Sequence, residues 1–327
     1  MTNSPNLKAL TVALTGNPNS GKTTIFNKLA RARESVGNYP RVTIAPRERT
    51  LDHRGRVIRL VDLPGIYSLS ARTPEEKSGR DYIHFNRPDV IINILDAGNL
   101  DRSLFLTTQL IEMGCPRVHA LNMFDEAKRK GIGVDTQALV SMLGGPVIET
   151  VATTGEGLDR LLDAALAVAD PERSPRPEVS IHYDGHLEAA IDRVRQNLAD
   201  LHPQVMSQPQ SRWLAIKLLE GDEEILTREG EHTALIEQVR AERQAFKQHH
   251  DESCEHAFAG GRYGFIHGLL MEARTLVGDP TESDLRHARV DDILLHRLFG
   301  LPILLGLMWV MFETTFTLGA YPTDAIK

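Results

Sequence analysis

Residues Gly16-Asn17-Pro18-Asn19-Ser20-Gly21-Lys22-Thr23 fit G-x-x-x-x-G-K-[ST] in full, between an apolar run at 9–15 and a segment with helical spacing at 23–32. A strand, a glycine-rich turn and a helix in that order leave few folds open. Glycines let consecutive backbone N–H groups turn inward around phosphate oxygens. The helix that follows adds the positive end of its dipole. Lys22 places a mobile cation on the β- and γ-phosphates of a nucleotide. Thr23 offers a hydroxyl to Mg²⁺, and Thr24 continues the same first turn.

The pattern after this loop repeats the same alternation. Short apolar runs at 57–62, 90–96, 118–122 and 146–151 read as strands. Segments 100–113, 136–143 and 158–168 carry helical spacing. Strands alternating with helices imply a mostly parallel sheet covered on both faces, with functional loops at the carboxyl ends of the strands. This unit is expected to span residues 1–170. A proline-rich stretch at 171–177 (PERSPRP) reads as a linker. Residues 178–288 have no strand-like runs and space their apolar residues for helices at 187–201, 213–220, 234–249 and 263–277. They are expected to form a small all-α domain.

Three further elements select the nucleotide and sense its state. Asn122-Met123-Phe124-Asp125 resembles the N-K-x-D motif of GTPases, with Met123 in the lysine position. Guanine presents N1–H and N2–H₂ on one edge, and the Asp125 carboxylate can accept from both. Met123 can cover the base as a long apolar side chain. Thr150-Val151-Ala152-Thr153-Thr154-Gly155 resembles the last base-contacting loop, with Ala152 and Thr153 in the contact positions. Asp62-Leu63-Pro64-Gly65 matches D-x-x-G: Asp62 for Mg²⁺, and the Gly65 N–H for the γ-phosphate. The residue after Gly65 is Ile66, where many GTPases have a water-orienting glutamine, so slow turnover is expected. Segment 36–43 reads as the first switch, with Thr43 as a second Mg²⁺ ligand and γ-phosphate sensor.

The fold class is therefore α/β: a P-loop GTPase with a Ras-like, mostly parallel sheet, then a small helical domain. A hydrophobic C-terminal segment follows. Residues 298–312 carry no charge, and Glu313 is the only charged residue of 298–321. Roughly 20 apolar residues cross a bilayer, so a membrane helix at about 298–321 is expected within a membrane region at 289–327. His296 and Arg297 precede it and would keep residues 1–288 on the cytoplasmic side. The polar N-terminus reads as no secretory peptide. A net charge of −7 argues against a nucleic-acid partner, and two distant cysteines, Cys115 and Cys254, give no disulfide framework. The tract His249-His250-Asp251-Glu252-Ser253-Cys254-Glu255-His256 matches no closed metal-site spacing and reads as a solvated loop between helices. The acidic run 220–224 reads as an exposed helix end, and the charged segment 75–81 sits where it could read the second switch.

These motifs together resemble the N-terminal region of the ferrous iron transporter B family. The resemblance rests on GNPNSGKTTIFNKL, VGNYPRVT, DLPGIYSLS, RPDVIINILDAGNLDRSLFLTTQLIEMG, ALNMFDEAKRKGI, RWLAIKLLEGDEE and DDILLHRLFGLPILLGLMWVMF. It implies a cytosolic GTP-binding and GTP-hydrolysing domain, and a GDI-like helical domain that joins it to an Fe²⁺-carrying membrane region of the bacterial inner membrane. By that resemblance Asn19 holds a K⁺ ion that does the work of an arginine finger. Catalytic duty falls to Lys22, Thr43, Gly65 and Asn19, with Thr23, Thr43, Asp62 and Asn19 as metal ligands. Arg41 stands where the family usually has glycine. The implied partners are GTP or GDP, the chain's own or a separate transmembrane permease domain, small cytosolic Feo proteins and further copies of the chain. Two other readings use the same fold. A soluble GTPase of ribosome or RNA maturation would want a basic domain after residue 170, and 178–288 is not markedly basic. A nucleotide-sensing module with incidental hydrolysis fits the missing glutamine equally well.

Overall fold

Strand β1 (Leu10–Gly16) is buried on both faces and sits in the middle of a six-stranded sheet of order β2-β3-β1-β4-β5-β7. The chain is described by a computed structural model covering residues 9–32, 47–70, 73–170, 179–201, 208–230, 232–276 and 300–325. The first switch at 36–43, with Arg41 and Thr43, and the 171–177 linker lie outside the described residues. Strands β3 (Arg56–Asp62), β4 (Val90–Asp96), β5 (Arg117–Asn122) and β7 (Val147–Glu149) run parallel to β1, directly or through a neighbour. Only β2 (Arg47–His53) is antiparallel, joined to β3 by the two-residue turn Arg54-Gly55 with φ of 51° and 76°. Both turn residues are left-handed, the backbone that two-residue hairpins require. A short strand, β6 (Ile132–Val134), lies outside this sheet and pairs with β8 (Arg274–Leu276).

Alternation along the strands decides which helices cover which face. Val12 and Leu14 of β1 join Ile92 and Ile94 in one core with α1 (Lys22–Ala32) and α6 (Leu158–Val168). Ala13 and Ile91 point the other way, into a core with Leu106 and Leu110 of α3 (Leu100–Glu112). That second core continues without a break into α7 (Gly185–Leu201), α8 (Gln208–Glu220), α10 (Thr233–His250) and α11 (Cys254–Ala273). A third core joins α3, α4 (Phe124–Arg129), α5 (Thr136–Leu143) and α11.

The expected elements are recovered with ends shifted by a few residues. Sequence periodicity missed β2, α2 (Pro74–Asp81), α4, β6 and α9 (Glu223–Arg228), and Arg274–Leu276, expected inside the last helix of a strand-free segment, form a short strand. Helix α11 begins nine residues before the expected 263, at Cys254. By contacts, the described residues before Arg129 and those from Ile132 to Thr275 form one compact unit. Residues 129–131 and the described residues from Leu276 onward form the other.

In that second unit, α12 (Gly300–Ala325) is helical where a membrane helix was expected at 298–321. Among the described residues, however, no helix is long and apolar enough to cross a membrane. The apolar side chains Leu301 to Phe312 are largely exposed, but Glu313, Thr314 and Thr315 follow at once. At 1.5 Å per residue that stretch covers about 18 Å, against about 30 Å of hydrocarbon.

Candidate nucleotide site

The loops after β1, β3, β5 and β7 gather at the carboxyl edge of the sheet, where parallel α/β folds bind ligands. Gly16 ends β1, and a Cβ there would lie 2.7 Å from the carbonyl oxygen of Ile94. Asn19 takes a left-handed φ of 67°, and Gly21 one of 87°. Asparagine is among the few side chains that tolerate that conformation. The Ser20 N–H donates to Asn17 O at 3.2 Å, and Ile25 N–H to Gly21 O at 2.9 Å, closing the turn onto α1. Helix α1 starts at Lys22, so the amides of Lys22, Thr23 and Thr24 have no acceptor within the helix. Lys22 and Asp62 are both buried, and the Lys22 ammonium donates to the Asp62 carboxylate. Thr23, Thr24 and Asn19 are exposed, and Pro18 is half-buried.

The second switch leaves β3 tied to this loop. Leu63 N–H donates to Leu14 O, and Ile66 N–H to Gly16 O, each at 3.1 Å. Gly65 passes so close that a Cβ would meet Pro18 Cα at 3.2 Å. The Ile66 side chain is 1% exposed and belongs to the core below, so it faces no water. Buried Gln109 of α3 accepts from Leu69 N–H at 2.5 Å and fixes the segment further along.

Asn122 is the hub of the site. Its Nδ2 donates to Ser20 O at 2.8 Å, and its Oδ1 accepts from Ala152 N–H at 3.0 Å. One buried amide thus staples the phosphate loop to the 150–155 loop. A Cβ on Gly21 would lie 2.1 Å from that Nδ2, so glycine is required there for close approach as well as for its backbone angle. Met123 follows with a φ of 58° and aims the chain so that Asp125, exposed in the first turn of α4, stands beside this hub in sequence. Thr153 is exposed at the rim, and Ala152 is buried.

The structure therefore brings together Gly16, Asn17, Pro18, Asn19, Ser20, Gly21, Lys22, Asp62, Gly65, Asn122 and Ala152. The place of Thr43 is outside the described residues. Sequence reading treated Asn122 as one letter of a motif and missed its structural duty, and it missed Arg102, whose carbonyl accepts from Asn17 Nδ2 at 2.7 Å. A nucleotide with Mg²⁺ fits these residues. The Ser20 hydroxyl is 1% exposed and has no hydrogen-bond partner among the described residues, an orphaned donor that a phosphate oxygen would satisfy.

Beyond the second switch, α2 (Pro74–Asp81) packs its charged side chains against the 222–224 turn. Thr73 caps α2 by accepting from Glu76 N–H at 3.2 Å. Arg80 is 1% exposed and pairs with Asp222 at 3.1 Å, with Asp81 at 3.1 Å and with Glu224. Lys77 also reaches Glu224, at 3.2 Å. In the run 220–224, read from sequence as an exposed helix end, Asp222 and Glu224 thus form an acidic socket for α2. Burial works against the Arg80 charge, but Asp222, Glu224 and Asp81 outweigh it and hold its pKa above the ordinary value.

Comparison with known proteins places these features. Residues 10–165 match the family model described as ferrous iron transport protein B, and residues 183–275 match that of the FeoB cytosolic helical domain. A Porphyromonas gingivalis protein named as a fusion of Fe(2+) transport protein A and Fe(2+) transporter FeoB is 39% identical over 329 residues, covering 99% of this chain and 39% of its own. A Salmonella typhimurium Fe(2+) transporter FeoB is 38% identical over 322 residues, covering 96% and 39%. The chain thus spans about 39% of the length of these relatives. Among solved structures, a GDP-bound S. thermophilus NFeoB variant superposes with a TM-score of 0.72 at 34% identity, over 81% of this chain and all of that one. S. thermophilus NFeoB bound to GDP, AlF4⁻ and K⁺ gives 0.69 at 34% identity, over 80% and 98%.

Proposed function

The chain belongs to the FeoB family of ferrous iron transport proteins, and on that premise we propose that it binds and slowly hydrolyses GTP to control Fe²⁺ passage through a membrane permease domain. The observation that carries this reading is the Asn122 staple. It joins a phosphate loop to a base loop, with Asp125 three residues after it in the first turn of α4, which is what a guanine-selective site needs and a bare phosphate site does not. In this reading residues 1–170 are the nucleotide domain and 178–288 the helical one, separated by a linker at 171–177.

The chemistry follows from the groups at hand. Hydrolysis moves water onto the γ-phosphorus and releases phosphate, with negative charge building on the phosphoryl oxygens. Lys22, the amides of 21–24 and the Gly65 N–H face that charge. Mg²⁺, held by Thr23, Asp62 and Thr43, would neutralise part of it. K⁺ beside Asn19 would add the charge that no arginine supplies. Ile66 positions no water, so turnover without a partner stays low, on the order of 10⁻² s⁻¹ or less by analogy with GTPases lacking trans-acting groups. Loss of the γ-phosphate frees Gly65 and Thr43, and α2 passes the change through Arg80 and Lys77 to Asp222 and Glu224.

The membrane side rests on α12, whose exposed apolar stretch supports a start of the membrane region at 289–327. Residues 1–288 then lie on the cytoplasmic face of a bacterial inner membrane, and the permease is the chain's own continuation or a separate one. The fusion in the Porphyromonas relative's name supports a small cytosolic Feo protein as a partner. The test is GTP and ATP binding and hydrolysis with Mg²⁺, in K⁺ and then in Na⁺. Guanine preference with faster turnover in K⁺ is expected. Equal affinity for ATP would overturn the base-site reading, and equal rates in the two salts would remove the cation from Asn19.

A further inference from the structure

Away from the nucleotide loops, three donor side chains from two segments converge: Asp184, His186 and His250, with ligand atoms all within 4.8 Å of one another. Asp184 precedes α7, and its Oδ1 accepts from the His186 backbone N–H at 2.9 Å. His250 is the last residue of α10. The His186 Nδ1 and His250 Nε2 lie 2.7 Å apart. Phe246, itself buried, stacks on the His250 ring at 4.3 Å and fixes its plane. The His249 ring stands edge-on to His186 at 5.1 Å. A shallow cavity of about 200 Å³ opens beside the group, floored by Ala189, Ala190 and Phe246.

The sequence tract 249–256 is split by the fold. Cys254 turns into the core, and burial pushes its thiol up to about 11, far from a thiolate ligand at neutral pH. His256 is exposed on the first turn of α11. What spacing along the chain could not reveal is that the start of α7 brings an aspartate and a fourth histidine to the first residues of the tract.

We propose that Asp184, His186 and His250 form a binding site for a divalent first-row transition-metal ion, joining the start of α7 to the end of α10. Two imidazoles and one carboxylate are borderline donors that favour Zn²⁺ or Fe²⁺ over Mg²⁺ or Ca²⁺, which take oxygen sets. Two nitrogens on one tetrahedral ion at about 2.0–2.1 Å sit about 3.3 Å apart, so the pair needs to open by about half an ångström. His186 and Asp184 are more than half exposed, with room to do so. The Asp184 oxygen not used in capping is available as the third ligand. The backbone N–H of His186 holds that carboxyl below its ordinary pKa. Three protein ligands leave open positions, so the ion exchanges with solvent and is not a closed structural metal.

The experiment uses the full chain, stripped on a chelating resin and returned to buffer with excess Mg²⁺ to saturate hard-cation sites. Zn²⁺, and Fe²⁺ without oxygen, are titrated by calorimetry, and the melting temperature is followed with and without Zn²⁺. One ion per chain beyond Mg²⁺ is expected, with affinity falling at least tenfold in His186→Gln, in His250→Gln and in Asp184→Asn, which keeps the capping oxygen. Zn²⁺ should raise the melting temperature of the parent by several degrees and leave the double variant His186→Gln/His250→Gln unmoved, because the ion ties two helices that are otherwise 64 residues apart. Co²⁺ should give a visible d–d band that this double variant loses. No binding above Mg²⁺, or binding and stabilisation retained by the double variant, overturns the site.

Discussion

At the scale of single residues, Asn19 and Asp125 separate turn geometry from ligand chemistry. Asn19 is left-handed at φ 67°, so its identity is explained by the turn alone. Asn19→Gly keeps that turn and removes the amide. If the side chain holds K⁺, Asn19→Gly hydrolyses GTP at one rate in K⁺ and Na⁺ while binding GDP within about twofold of the parent; retained K⁺ stimulation assigns Asn19 to the turn. Asp125→Ala gives up two charge-assisted hydrogen bonds worth about 1.5 kcal/mol or more each. GTP affinity should drop about 100-fold with ATP affinity unchanged, read by competition for a fluorescent nucleotide. The motif letters around both residues were legible because backbone turns and phosphate cradles depend on local spacing. The bond partners of Asn122 were not, since Ser20 and Ala152 reach it from other loops, distant in sequence.

At the scale of elements, periodicity found every strand buried on both faces and missed β2. That edge strand, Arg47–His53, buries only Leu51 and His53 outright, so its apolar alternation is too dilute to read. Helix α3 makes the same point about packing. Its Glu112 takes two bonds from Arg262 of α11 at 2.8 Å, and a third from the Tyr183 hydroxyl. Arg262 also reaches Glu220 of α8 at 2.5 Å, and Lys217 pairs with Glu220 at 2.7 Å. Burial raises the Glu220 carboxyl, but Lys217 and Arg262 outweigh it and hold it below the ordinary range. Arg262→Met leaves Glu112 and Glu220 without their shared cation and should cost about 3–5 kcal/mol in urea unfolding. A loss under about 1 kcal/mol would mean that the network relaxes into water. Arg80→Met should leave GTP affinity near that of the parent while removing any nucleotide dependence of proteolysis at the α8–α9 turn. Dependence that survives would place the relay elsewhere.

At the scale of the whole molecule, His119 sets an acid limit. It lies on β5, next to the edge strand β7, fully buried, and burial followed by the nearby Arg117 charge lowers its pKa to about 3. The folded chain refuses a proton that the unfolded chain accepts below about 6.5. Stability from this group is therefore intact above pH 6.5 and declines by about 1.4 kcal/mol per pH unit down to about pH 3. Between pH 7 and pH 5 the parent should lose about 2 kcal/mol more than His119→Gln, by urea midpoints; equal losses would show that the unfolded imidazole is shifted as well.

The apolar core that runs unbroken from Ala13 and Ile91 through Leu110 into α7, α8, α10 and α11 has a consequence for dissection. A chain cut at residue 170 would carry Glu112 without Arg262, together with an uncovered face of α3. Such a fragment should be sticky and poorly soluble even though every nucleotide-contacting loop is intact. The helical segment is then a missing wall of the nucleotide domain, not a detachable accessory. Gene rearrangements that shuffle the one without the other should yield insoluble protein, and supplying 179–276 in trans should restore solubility before it restores any activity.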